Sequence, residues 1–222
     1  MYTYTYTYTY PNHTLFCQEL GHMRNFSYII ADKATGLAAV VDPAWEVDKI
    51  TALLRQHELK LDKVLITHSH YDHINGLDQL FMHLHKVPLY LSRSEADFWQ
   101  VIHSTATPLA KDSIINLGNT EITMLNTPGH TPGSVCYKVG NNLLTGDTLF
   151  LNGCGRCDLS GGDAGVLYET LAKLKTDLPG DTQIFPGHNY YIDPTTDWQF
   201  QLDGNPFLQF NDKDKFIKRR NG

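Results

Sequence analysis

The chain has no long apolar run, no excess of basic charge and little cysteine, and each shortage removes a class of protein. Its longest apolar stretches, such as Leu37-Ala38-Ala39-Val40-Val41, fall far short of the roughly 20 residues a spanning helix needs. The first residues carry neither a basic region nor an apolar core, so no signal peptide is expected. Lys and Arg number 18 against 24 Asp and Glu, a formal net charge of -6. That balance gives no electrostatic reason to expect nucleic acid as a partner. Only four cysteines occur: Cys17, Cys136, Cys154 and Cys157. The last two form C-G-R-C, but neither a second C-x-x-C nor a histidine pair follows it. Reduced thiols in a cytoplasmic protein are therefore expected, not a redox pair or half a zinc site.

What is present is histidine in a pattern. Thr67-His68-Ser69-His70-Tyr71-Asp72-His73 follows the apolar run Lys63-Val64-Leu65-Ile66 and precedes Ile74-Asn75-Gly76-Leu77. H-x-H-x-D-H puts three imidazoles and a carboxylate within six positions. In an extended segment alternate side chains share a face, so His68 and His70 can point the same way. A following helix would carry Asp72 and His73 into adjoining space. One stretch can thus offer two ligands to one metal and two to another.

Three further stretches set a metal-competent residue in a loop after a strand. They are Asn126-Thr127-Pro128-Gly129-His130-Thr131-Pro132-Gly133-Ser134, Leu143-Leu144-Thr145-Gly146-Asp147-Thr148-Leu149-Phe150 and Ile184-Phe185-Pro186-Gly187-His188-Asn189. Pro and Gly on both sides make His130 a rigid loop residue. Asp147 is a single acid among apolar and small residues, and a buried carboxylate needs a partner. Singly each is a weak signal. Together with the opening stretch they complete seven ligands, which suits two metals sharing one carboxylate. Two metals about 3.5–4 Å apart can hold a bridging hydroxide and polarise a carbonyl at neutral pH. His13, His22, His57, His83, His85 and His103 have no ligand partners in sequence and are expected at the surface.

Around these residues the periodicity predicts antiparallel strands at 15–20, 26–30 and 38–41, a helix at 46–57 and a strand at 64–66. A helix follows at 77–84, a strand at 87–91, and a helix capped by Ser92 with Glu95 at capping-box spacing. Strands are expected at 114–117, 121–125, 135–139, 143–144 and 182–185, with a helix at 164–174 between the last two. The alternating Tyr-Thr of residues 1–10 reads as disorder or an edge strand, and 194–222 as a short helix and a tail. The tail's Lys213, Lys215, Lys218, Arg219 and Arg220 are expected to be solvated. The order suggests two sheets with helices packed outside, an α/β layered arrangement in one domain spanning 1–222, with 1–12 and 205–222 peripheral.

At these positions the chain resembles the metallo-β-lactamase-fold hydrolases. Asp42, His68–His73, His130, Asp147 and His188 match that superfamily's motif positions in order, over residues 15–210. The resemblance implies a four-layer αββα sandwich with two divalent metals, zinc first and iron or manganese as alternatives. It assigns His68, His70 and His130 to one metal and Asp72, His73 and His188 to the other, with Asp147 bridging. Asp42 would hold the loop beneath the motif. Within the superfamily Thr127–Ser134, Thr145–Phe150, Gly153-Cys154-Gly155-Arg156 and Gly204-Asn205-Pro206-Phe207-Leu208 look like glyoxalase II, the hydroxyacylglutathione hydrolases. That likeness implies thioester hydrolysis: the metal-bridging hydroxide attacks the carbonyl, Asp72 orients it, and the thiolate leaves.

Two departures bear on the thiol. Only 34 residues follow His188, where larger glyoxalase II enzymes carry a basic helical extension. The stretch Gly155-Arg156-Cys157-Asp158-Leu159-Ser160-Gly161-Gly162-Asp163 is closer to short glyoxalase II-like proteins, to persulfide dioxygenases and to acyl-thioester hydrolases of polyketide pathways. The expectation is therefore a hydrolase of a small-molecule or carrier-bound thioester, monomeric or homodimeric, with no membrane partner. A mononuclear iron persulfide dioxygenase using His68, His130 and Asp147 and a coenzyme A or acyl-carrier thioesterase are the alternatives. Arg156, Tyr71 and Asn189 are the candidate substrate-binding residues.

Overall fold

The computed structural model describes residues 4–83, 87–100 and 106–221. Its first sheet takes seven strands side by side in chain order: β1 (Thr5–Thr9), β2 (His13–Leu20), β3 (Asn25–Asp32), β4 (Leu37–Val41), β5 (Lys60–Leu65), β6 (Leu89–Ser92) and β7 (Ala106–Leu109). β1 to β4 are antiparallel, and β4 to β7 are parallel. Parallel neighbours need crossovers. Here α1 (Val47–Gln56), α2 (Tyr71–Ile74) with α3 (Leu77–His83), and α4 (Arg93–Trp99) lie on them.

The second sheet uses β8 (Ile114–Leu117), β9 (Thr120–Asn126), β10 (Val135–Val139) and β11 (Asn142–Gly146). A small hairpin, β12 (Leu149–Phe150) and β13 (Gly153–Cys154), follows, then α5 (Ala164–Asp177), β14 (Gln183–Pro186), β15 (Thr196–Asp197), α6 (Trp198–Gly204) and α7 (Lys213–Asn221). The sheet order is β15-β14-β11-β10-β9-β8, with β11 and β14 parallel.

Side-chain alternation splits the core into layers. Leu15, Cys17, Tyr28, Ile30, Val41 and Leu65 face Ile122, Met124, Val135, Tyr137, Leu144 and Phe185 between the sheets. Their neighbours Phe16, Ile29, Val40, Val64 and Ile66 point the other way, onto Leu53 and Leu54 of α1 and Leu80 and Phe81 of α3. On the far side Leu143 and Ile184 pack with Leu167, Leu171 and Leu174 of α5, Trp198 of α6 and Phe216 of α7. The result is helix, sheet, sheet, helix. Burial on both faces explains why β4 reads as an unbroken apolar run and not as an alternation.

Of the two expectations for the N-terminus the edge strand holds: residues 5–9 pair with β2, with Tyr6 and Tyr8 packed against the inter-sheet layer. Two others change in part. The tail is docked through one apolar anchor, while Lys213, Lys215, Lys218 and Arg219 are exposed as expected and Arg220 is half-buried. Phe216 is fully buried, Lys213 pairs with Glu169 at 3.0 Å, and Arg220 lies 5.6 Å above the Phe207 ring. Sequence periodicity missed this because the basic face of α7 masks its single deep anchor. His13 is buried, not exposed: its Nε2 accepts from Asn142 Nδ2 at 3.2 Å, and its ring stacks on Tyr10. His22 and His57 are exposed, whereas the side chains of His83, His85 and His103 lie outside the described residues.

The parallel pairs β4–β5 and β11–β14 place the carboxyl ends of their strands at one edge of the sandwich. That edge is where open α/β sheets bind ligands. Truncating the tail's anchor tests its docking. Phe216→Ala should lower unfolding free energy by about 3–5 kcal/mol, measured by denaturant titration. A loss below about 1 kcal/mol would mean the tail contributes little packing.

Candidate metal centre

After Leu65 the chain leaves the sheet, bends at Thr67, and is extended at His70 (φ -64°, ψ 145°) before it turns into α2. The rings of His68 and His70 consequently lie 4.8 Å apart, and α2 carries Asp72 and His73 toward the same cleft. The β9–β10 loop brings His130, whose Nε2 faces His68 Nε2 at 3.3 Å. The end of β14 brings His188, whose Nε2 is 3.3 Å from His73 Nε2 and 3.3 Å from Asp72 Oδ2. Asp147, just after β11, lies between the two groups. Its Oδ1 is 3.3 Å from His73 Nε2, and its Oδ2 is 3.6 Å from His130 Nε2 and 3.4 Å from His188 Nε2. A Cβ on Gly187 would collide with Asp147 Oδ1, so only glycine admits this approach.

The far nitrogens are tied down. His130 Nδ1 contacts the Arg156 carbonyl at 2.7 Å, His188 Nδ1 the Met23 carbonyl at 3.0 Å, and His73 Nδ1 Asp42 Oδ2 at 3.0 Å. A carbonyl or carboxylate at Nδ1 makes that nitrogen the donor and leaves the Nε2 lone pair facing the centre. Facing lone pairs repel unless a proton or a cation lies between them. Tetrahedral zinc with Zn–N near 2.0–2.1 Å sets its ligands about 3.3 Å apart, which is the spacing of the facing nitrogens. Asp147 Oδ1 is buried without a hydrogen-bond partner. These donors suit divalent metals. His68, His70 and His130 form one three-residue group and Asp72, His73 and His188 another, with all ligand atoms of a group within 4.8 Å. Asp42, His68 and His73 also fall together. Asp42, however, accepts from Thr67 N at 2.8 Å and Thr67 Oγ1 at 2.6 Å and meets the outer nitrogen of His73. It buttresses the motif loop from behind.

The proposed substrate residues are less uniform. Tyr71 is 73% exposed, edge-on to Trp45 at 6.2 Å. The Arg156 guanidinium is exposed and forked onto Asp158, with contacts of 2.7 and 2.5 Å, and its carbonyl is what touches His130. Asn189 is buried with its amide on Glu19. Asn25 was missed. It donates to Asp72 Oδ2 at 2.9 Å while its own oxygen accepts Trp45 Nε1 at 2.7 Å. No short motif marks Asn25, because its partners lie 20 and 47 residues away. The four cysteines are free and buried, and burial pushes Cys154 to about 12 and Cys157 to about 11. Neither is a thiolate at neutral pH.

The family model for the metallo-beta-lactamase superfamily matches residues 21–188, and the chain belongs to that superfamily. Among its relatives is "Probable polyketide biosynthesis zinc-dependent hydrolase BaeB" of Bacillus velezensis, 36% identical over 197 residues that cover 89% of this chain and 87% of that one. The cytoplasmic hydroxyacylglutathione hydrolase of Arabidopsis thaliana is 36% identical over 76% of this chain, a match spanning 65% of the plant protein. The crystal structure of ETHE1 from Myxococcus xanthus superposes with a TM-score of 0.82 at 26% identity, covering 99% of this chain and 90% of that one.

Charge in the metal-free centre is divided. Burial, reinforced by neighbouring imidazoles, pushes His68 well down and His70 down to about 4. Burial would also lower His73 and His188, but the Asp147 carboxylate raises His73 well above its ordinary value and His188 to about 9. Burial would raise Asp72 and Asp147. The hydrogen bond from His188 holds Asp72 low, and the charges of His73 and His188 hold Asp147 low. A histidine raised by folding stabilises the fold in full below its unfolded value and loses that contribution as pH climbs through the folded one. A lowered histidine stabilises above its unfolded value and loses that contribution as pH falls. With both kinds present, the metal-free protein should be most stable near pH 6.5. Its thermal midpoint should fall toward pH 9 as His188 deprotonates and toward pH 4 as His70 protonates. A midpoint climbing steadily from pH 6.5 to pH 9 would contradict a protonated His188.

Proposed function

We propose that the chain is a hydrolase of acyl thioesters that works with two divalent metal ions, zinc in the first instance. His68, His70 and His130 hold one ion, Asp72, His73 and His188 the other, and Asp147 is shared. The observation that carries this reading is the Asp147 carboxylate lying 3.3–3.6 Å from nitrogens of both groups. When bound, such a pair supplies a Lewis acid for the carbonyl and a hydroxide at neutral pH. The chain's own contribution is positioning. Asp72, kept ionised by His188 and anchored by Asn25, orients the attacking oxygen. The Nδ1 contacts of His73, His130 and His188 keep their Nε2 lone pairs aimed inward.

Relatives bearing the names zinc-dependent hydrolase and hydroxyacylglutathione hydrolase support this chemistry. The thiol is proposed to be a coenzyme A or carrier-bound arm, not glutathione. The match to the polyketide hydrolase runs nearly the full length of both chains, whereas the glutathione hydrolase extends well beyond the match. The one arginine in the Gly-Cys-Gly-Arg stretch is also already engaged by Asp158. Tyr71 remains the exposed side chain beside Asp72 that a substrate would meet. Buried, unpaired thiols and the lack, among the described residues, of any helix long and apolar enough to cross a membrane fit a cytoplasmic enzyme.

Elemental analysis should give two zinc ions per chain, and a panel of coenzyme A, carrier-protein and glutathione thioesters should be hydrolysed in that order of preference. Asp72→Ala should lower kcat/KM by about 10²–10⁴-fold. Asp147→Ala should also lose much of the metal. One iron per chain with oxygen uptake on a persulfide would replace this reading with the dioxygenase.

A further inference from the structure

Glu95 sits on α4, far from any ligand in sequence, and its 1% exposure makes it one of the most deeply buried carboxylates in the chain. Its spacing from Ser92 fits a capping box, and half of that motif is formed: Ser92 Oγ accepts from Glu95 N at 3.1 Å. The other half is absent. The carboxylate does not return to the Ser92 backbone N–H but takes four hydrogen bonds, one from Trp99 at the end of its own helix and three from other segments. Oε1 accepts Ser69 N at 2.6 Å and Trp99 Nε1 at 3.0 Å. Oε2 accepts Thr131 Oγ1 at 2.7 Å and Gly133 N at 3.0 Å.

Those partners are not scattered. Ser69 is the residue between His68 and His70. Thr131 directly follows His130, and Gly133 lies two residues further along the same loop. Trp99 stands edge-on to His70 at 5.8 Å. One carboxylate therefore ties together the two loops that carry the His68–His70–His130 group, and it touches no residue of the Asp72–His73–His188 group. The loop is pressed close: a Cβ on Gly133 would run into the backbone of Glu95, and Ser92 Oγ holds the Gly133 carbonyl at 2.6 Å. We infer that Glu95 is the positioning residue of the three-histidine half-site, setting the distance between the His68–His70 segment and the His130 loop. The inference rests on the two-metal reading above.

The chemistry of the clamp dictates its test. All four groups donate, so the acceptor must be a carboxylate. Glutamine has the same shape, but its NH₂ would face two donors whichever way it is turned. Glu95→Gln therefore breaks one arm while leaving the Ser92 cap in place, because that cap uses only the backbone N–H of residue 95. Removing such an outer partner typically costs 10–100-fold in metal affinity.

The measurement is metal affinity by chelator competition, with zinc and with cobalt for its absorption spectrum, in two backgrounds. Asp72→Ala leaves the three-histidine group intact, and there E95Q should weaken binding about 10–100-fold and shift the cobalt spectrum. His70→Ala leaves the Asp72–His73–His188 group, and there E95Q should change affinity less than about 3-fold. Equal weakening in both backgrounds, or none in either, would overturn the inference. If the parent chain binds no metal at all, the two-metal reading itself has failed, which is a different result. Should E95Q not fold, Thr131→Val removes one donor from the same arm and carries the same site-selective expectation with a smaller loss.

Discussion

Everything at the sheet edge depends on one electrostatic constraint: lone pairs and carboxylates have been driven together where water is scarce. His68, His73, His130 and His188 are almost fully buried, and their inner nitrogens face one another at hydrogen-bond distance. Asp147 lies between them with one oxygen unpartnered. Without a cation the cluster can persist only by dividing protons unevenly: burial favours a neutral His70, whereas the Asp147 and Asp72 carboxylates favour a charged His188. A divalent metal answers the same constraint with less compromise, because it accepts every inward lone pair at once.

The constraint explains why so much of the surrounding fold is rigid. Facing donors hold their separation only if each ring is fixed from behind. Asp42, Arg156 O and Met23 O perform this for three rings, and they come from the end of β4, the loop after β13 and the β2–β3 turn. Arg220 of the docked tail accepts a share of this task, donating to the Gly155 carbonyl one residue before Arg156. The tail, peripheral in sequence, is thus mechanically connected to His130.

The layered fold and the metal-competent residues were legible in the sequence, because both depend on local patterns. Period-two and period-3.6 spacing located nearly all of the long elements, and H-x-H-x-D-H announces its own chemistry. What was not legible is what acts across distance. Asn25 and Glu95 look like an ordinary strand residue and half of a helix cap. Each becomes functional only through partners more than 25 residues away, Asp72 for one and Ser69 and Thr131 for the other. His13 was misread for the same reason, since its partner Asn142 belongs to the other sheet. Arg156 shows the opposite error. Its guanidinium drew attention, while its carbonyl is the atom that touches the centre.

The two sheets contribute unequally but jointly. His68, His70, Asp72 and His73 come from loops of the first, and His130, Asp147 and His188 from loops of the second. Neither three-residue group can be completed by one sheet alone. A metal held by either group would therefore staple the edge of the sandwich, and its binding free energy would become folding free energy for the inter-sheet layer. That coupling gives the outer clamps their importance. Asn25, at the start of β3, donates to Asp72, so that contact stays within the first sheet and its loops. Glu95 bridges a loop of each sheet, so it sets the gap that the staple must span.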